Sequence, residues 1–211
     1  MLGNSAQENA AMMEPFVKDR NIFRNRLNAA LNALKELAEV DKNKIAIMGY
    51  CFGGMAALEL ARSGKNIQGA ISIHGLLDQG NAETNAINAK VLALHGSLDP
   101  MVPIETLNAF KQEMHDANAD WQLHEYGNAM HAFTNELADA PELGTLYNKD
   151  ADKRSAKAIN NFLDDVIVQI SKILQKCSSC KVSMDPHIKN FTIKNVLRRP
   201  ELSLPSCKYP H

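Results

Sequence analysis

The sequence predicts an α/β fold in which a mostly parallel sheet is covered by helices. Three observations predict it. Short apolar runs alternate with longer amphipathic stretches between residues 20 and 172, the strand-helix order of parallel sheets. A glycine-rich turn, Gly49-Tyr-Cys-Phe-Gly-Gly54, joins one apolar run to the next amphipathic stretch. The 211 residues are 45% hydrophobic and 22% charged, a composition that buries a core and does not favour disorder.

Each element has its own signal. Arg24 to Val40 sets Leu27, Ala30, Leu31, Leu34, Leu37 and Ala38 on one helical face. Lys44 to Met48 is a short apolar strand, and a helix follows the glycine turn from Gly54 to Arg62. Ile67 to Ile73 and Lys90 to Leu94 read as strands. Pro103 opens a helix to Ala117, proline being tolerated in the first turn. Trp121 to Tyr126 is a further strand. A last helix, Asp152 to Ile173, aligns Ala156, Ile159, Phe162, Leu163, Val166 and Ile170. No internal repeat is present.

Composition excludes several classes. The net charge of −1 gives no field to hold nucleic acid or an anionic membrane. No stretch reaches the roughly 18–20 apolar residues of a membrane span, and Met1 to Arg20 lacks a signal-peptide core, so a cytoplasmic location is expected. The body and the end differ. Residues 173–211 carry seven basic and two acidic residues, four prolines and no glycine, and their apolar residues keep no regular period. The expected organisation is a domain over 1–172 followed by an irregular basic tail over 173–211.

The Gly49–Gly54 turn carries the chemistry. It contains G-x-C-x-G between a predicted strand and a predicted helix, with Gly49 and Gly53 flanking Cys51. In such an elbow the nucleophile is pushed out at the C-terminal edge of the sheet, and small residues let strand and helix backbones approach. The helix N-terminus favours an anion there, which for cysteine populates the reactive thiolate. The competing reading is a buried cysteine serving as a small hydrophobe. An elbow nucleophile needs an acid and then a histidine further along the chain. Asp99 follows the strand ending His95-Gly96, and His131 follows the strand ending at Tyr126. Both loops leave the same sheet edge, where sites of open α/β sheets form. His131 would take the thiol proton, and Asp99 would fix its tautomer. Taken singly, Asp99 also reads as a turn residue before Pro100, and His131 as a surface residue.

The run Gly49-Tyr-Cys-Phe-Gly-Gly54, with His95-Gly96, Asp99-Pro100 and His131-Ala-Phe133, resembles the dienelactone hydrolase family. The resemblance covers residues 20–170. It implies an α/β-hydrolase three-layer sandwich, here lacking the N-terminal strands that pair beside the elbow strand. It also implies Cys51, Asp99 and His131 as a catalytic triad and the Phe52 backbone N–H as an oxyanion donor. The implied reaction is cleavage of a small carboxylic ester or lactone through an acyl-thioester, with no metal or organic cofactor. Dienelactone hydrolases proper carry an arginine four residues after the histidine; this chain has Asn135. With the upstream strands missing, Ile45 to Met48 would form an open apolar edge, a site for self-association. A rival function is therefore a catalytically impaired or inactive fragment with a binding role or none.

Other features point less sharply. His74 and His95 end strands on the expected site edge and read as structural residues first, pocket-lining residues second. Cys177-x-x-Cys180 with His187, Cys207 and His211 could be gathered into a zinc set, but no second paired motif completes it. No metal site is expected. Met12, Met13 and Met55 are expected to pack in the core or against a cap.

Overall fold

The computed structural model describes residues 5–168. The chain enters as two helices, α1 (Ala6–Lys18) and α2 (Arg20–Lys35). Four strands follow: β1 (Ala46–Tyr50), β2 (Gly69–Ile73), β3 (Lys90–Gly96) and β4 (Trp121–Tyr126). Helix α3 (Phe52–Arg62) joins β1 to β2, and α4 (Ile104–Asp116) joins β3 to β4. A small antiparallel pair, β5 (Asp139–Ala140) and β6 (Thr145–Leu146), precedes α5 (Lys149–Leu163), which widens into a π-helical turn over Asp164–Val168. The expected segment 173–211, with its cysteines, and the last turns of the expected final helix lie outside the described residues.

The main sheet is parallel throughout, in the order β1-β2-β3-β4. Alternation along its strands divides the core in two. Ala70, Val91 and Ala93 face Leu31, Leu58, Phe110 and Met114 of the helices on one side. Ile71, Ile73, Leu92 and Leu94 face Phe162 and Val166 on the other. Helices, sheet and helix thus form three layers. The two central strands are apolar on both faces, as a sheet covered on both sides requires. Among the described residues no strand precedes β1, which forms one edge of the sheet.

The structure moves several expected boundaries. The elbow strand is Ala46–Tyr50 rather than Lys44–Met48, because its ladder with β2 begins at Ala46 opposite Gly69. Pro103 stands one residue before α4, as its N-cap. Helix α2 starts at Arg20, where the Asp19 carboxylate accepts the Asn21 and Ile22 amides, and it ends at Lys35. Its buried face also differs. Arg20, Phe23, Arg24 and Leu31 are buried, while Leu34 and Leu37 are 39% and 52% exposed. Two arginines on the inward face defeat a hydropathy pattern. Met55 is fully buried as expected, whereas Met12 is 43% exposed. Among the described residues no helix is long and apolar enough to cross a membrane.

Candidate active site

Cys51 occupies the single residue between β1 and α3, with φ 52° and ψ −117°. An L-residue resists that conformation, and such strain gathers where the backbone is held for function. What holds it is local. The Cys51 N–H donates to the Ile73 carbonyl at 3.0 Å, prolonging the ladder by one residue. The Cys51 carbonyl accepts the amides of Gly54 and Met55, starting α3 at once. A Cβ on Gly49 would overlap the Gly53 backbone, and one on Gly54 would lie 2.7 Å from Ser72 Oγ and 2.9 Å from Gly75 Cα. Gly53 differs from the expectation: a Cβ there would meet nothing within 4 Å. The close approach of strand and helix therefore requires Gly49 and Gly54, and Gly53 contributes its backbone.

The side chain of Cys51 is exposed, against the buried-hydrophobe reading. Its Sγ lies 3.1 Å from His131 Nε2, and His131 Nδ1 lies 2.8 Å from Asp99 Oδ2. The other Asp99 oxygen accepts the Met101 N–H at 2.9 Å, which fixes the carboxylate. The three residues come from the ends of β1, β3 and β4, as the chain order predicts. His131 and Asp99 are 3% and 4% exposed, so their interaction is shielded from water.

The charges follow from these contacts. Burial opposes a charge on His131, but hydrogen bonds to Asp99 and Cys51 outweigh it and push its pKa up to about 9. Burial also raises the Cys51 thiol, yet the His131 hydrogen bond and charge and the Phe52 N–H together hold it below the ordinary thiol value. The two shifts describe one coupled pair, poised toward thiolate and imidazolium. The Phe52 amide opens α3, and its ring stacks on Phe23 at 5.0 Å and lies 6.5 Å from Phe16, anchoring the helix start.

The small hairpin β5–β6 is a feature the sequence reading lacks. The His131 N–H donates to the Gly144 carbonyl at 2.9 Å, and the Leu146 N–H donates to the His131 carbonyl at 3.2 Å. Gly144, at φ 76°, packs on Pro100 so closely that a Cβ would overlap its ring. One hairpin thus clamps the loops of Asp99 and His131 together. Asn135, at the position of the family's arginine, accepts the Leu137 N–H at 3.1 Å and shapes its own turn.

His74 stands beside this group. It is 4% exposed and held at φ 38°, with Nε2 2.9 Å from Thr134 Oγ1. Its ring meets those of His131 and Phe133 at 5.1 Å each. Burial first, and the neighbouring His131 second, press its pKa down to about 4, so it is neutral near pH 7. His95 is also buried, which lowers its pKa. Neither joins the hydrogen-bonded chain of Cys51, His131 and Asp99.

The likeness to known proteins is broad. A protein of Caenorhabditis elegans described as uncharacterised is 39% identical over 152 residues, covering 70% of this chain and 96% of that one. A solved structure titled as a dienelactone hydrolase-like promiscuous phosphotriesterase, P91 from metagenomic libraries, is 36% identical with a TM-score of 0.72. That match covers 77% of this chain and 69% of the other. A structure titled m3DLH is 37% identical with a TM-score of 0.73, covering 79% and 70%. Against a protein of Escherichia coli O157:H7 that is 30% identical over 103 residues, the match spans 38% of that protein's length. The family profile of dienelactone hydrolases matches residues 2–167. With that match and an α/β-hydrolase sheet carrying the elbow, the chain belongs to the dienelactone hydrolase family.

Proposed function

We propose that this chain hydrolyses a small carboxylic ester or lactone, with Cys51 as nucleophile, His131 as acid and base, and Asp99 as the residue orienting His131. The supporting observation is the unbroken chain from Sγ to Nε2 at 3.1 Å and from Nδ1 to Oδ2 at 2.8 Å. Family membership supports the substrate class.

The thiolate attacks the carbonyl carbon, and the developing oxyanion meets the Phe52 N–H at the positive end of α3. As the tetrahedral adduct collapses, His131 gives its proton to the departing alkoxide, leaving an acyl-thioester on Cys51. Water then enters, His131 takes one of its protons, and the carboxylic acid leaves as the thiolate returns. Asp99 keeps Nδ1 as the donor throughout, so Nε2 faces the sulfur and the water in turn. No step in the scheme draws on a metal or an organic cofactor.

The test is hydrolysis of p-nitrophenyl acetate by the full chain and by Cys51→Ala, with mass spectrometry for an acetylated Cys51. A wild-type rate well above that of the variant, with a transient acetyl adduct, is expected. Equal rates remove the cysteine mechanism and leave the rival reading, a family member without turnover.

A further inference from the structure

The two edges of the main sheet are chemically unlike. The β4 edge strand, Trp121-Gln-Leu-His-Glu-Tyr126, interleaves polar and charged side chains. The β1 edge strand, Ala46-Ile-Met-Gly-Tyr50, has no charge and no proline. Met48 is 43% and Tyr50 49% exposed. Edge strands normally carry a charge, a bulge or a cover that prevents pairing. Among the described residues, β1 pairs with β2 and with no other strand.

The free side of β1 has a definite pattern. The Cys51 N–H and the Ile45 carbonyl both bond toward β2. In a parallel ladder alternate residues serve the same neighbour, so the odd-numbered residues face β2. Ala46, Met48 and Tyr50 therefore turn their N–H and C=O groups outward. Their side chains share the sheet face opposite Ile47, which packs with the α2–α3 side of the core. On their own face, α5 packs over β2 and β3.

We propose that β1 pairs with β1 of a second copy of this chain, antiparallel about a two-fold axis at Met48. That register sets Ala46 opposite Tyr50 of the second copy, Met48 opposite Met48, and Tyr50 opposite Ala46. All three pairs are of the kind that exchanges both N–H···O bonds, so every outward backbone group finds a partner. Centring the axis on any other residue of β1 leaves some of these groups unpaired or out of phase. The side chains agree with the register. The smallest residue of the outer row meets the largest, and on the opposite face Ile47 meets Gly49. An interface of this kind is isologous and closes at two subunits. It joins two four-stranded sheets into one continuous sheet and brings the axis beside Tyr50, the residue before Cys51.

The test is the solution mass of the full 211-residue chain under reducing conditions, by sedimentation equilibrium at micromolar concentrations. Twice 23.3 kDa is expected. Met48→Lys and Met48→Glu each set like charges across the axis and are expected to be monomeric. Their far- and near-ultraviolet circular dichroism should match wild type, since Met48 is half-exposed. Their melting temperatures should fall below the dimer's and lose its dependence on protein concentration. Mixed in equal amounts, the two variants are expected to regain the dimer, because Lys then faces Glu. A monomeric or higher-order wild type overturns the proposal, as do variants that remain dimeric alone. A mixture that stays monomeric overturns the register.

Discussion

At Cys51, backbone and side-chain chemistry depend on each other: the positive φ that exposes Sγ also starts α3 beneath it, so the amides that favour a thiolate come with the strain. The pH dependence follows from the two shifts at this position. Below the lowered thiol pKa, Sγ holds a proton and no nucleophile remains. Above about 9, His131 loses the proton that an alkoxide leaving group needs. A plot of kcat/KM against pH for an alkyl ester should therefore rise, level and fall, its alkaline limb near 9. With a p-nitrophenyl ester, whose leaving group departs without a proton, that limb should weaken. Asp99→Asn should retain the fold but present an N–H to Nδ1, forcing the wrong tautomer. A kcat lower by about 10³–10⁴ is expected in a steady-state assay, together with loss of thiolate absorbance at neutral pH. These residues could be read from the chain because an elbow, an acid and a histidine in fixed order leave few alternatives. His74 could not be placed as firmly, since its strained φ and its packing on His131 have no residue pattern.

At the scale of elements, β2 and β3 were legible because a buried parallel strand needs a continuous apolar run, and each has one, whereas β4, on the sheet edge, interleaves apolar with polar residues. Helix α1 was not, because Met12 and Val17 point outward and Pro15 interrupts its interior. The hairpin β5–β6 was invisible for another reason: its strands are two residues each and work through backbone bonds to His131. The strand–helix junction at the elbow gives a paired prediction. Gly49→Ala drives a methyl into the Gly53 backbone, where neither partner can yield. A loss of about 3 kcal/mol is expected from urea unfolding, with loss of Cys51 labelling by a thiol reagent. Gly53→Ala adds a methyl into open space within α3 and removes a residue of poor helix propensity. Unchanged stability, or a gain of up to about 1 kcal/mol, is expected. If both variants lose stability equally, the assignment of close approach to Gly49 is wrong.

Across the whole molecule, a buried ionic network ties together segments that no local pattern connects. Arg62 is fully buried and uses all five of its N–H groups. Nε and Nη2 donate to the two Glu113 oxygens at 2.9 and 2.7 Å, and Nη1 donates to Glu59 Oε1 at 2.9 Å. The remaining two reach the carbonyls of Leu77 and Asp78. Glu59, also fully buried, accepts Arg24 Nε through its other oxygen at 2.7 Å. Arg20, in α2, donates to Asp78 at 2.6 Å. Helices α2, α3 and α4 and the loop after β2 thus meet at α3, the helix that Cys51 begins. Charged residues so far apart along the chain read as solvated surface, which is why the sequence pattern concealed the network. A buried network of this kind is costly to interrupt, because removing one member leaves a charge in the core without its partner. Glu59→Ala leaves the buried Arg24 without its carboxylate partner and Arg62 with Glu113 alone, and a loss of about 3–5 kcal/mol is expected from urea unfolding with an unchanged m value. Lys90 and Asp165 provide the contrast: their 2.7 Å ion pair is partly exposed, with Lys90 at 37%. Asp165→Ala should therefore cost less than about 1 kcal/mol. Equal losses in the two variants would mean that water reaches Glu59, and that α3 is held by its apolar contacts alone.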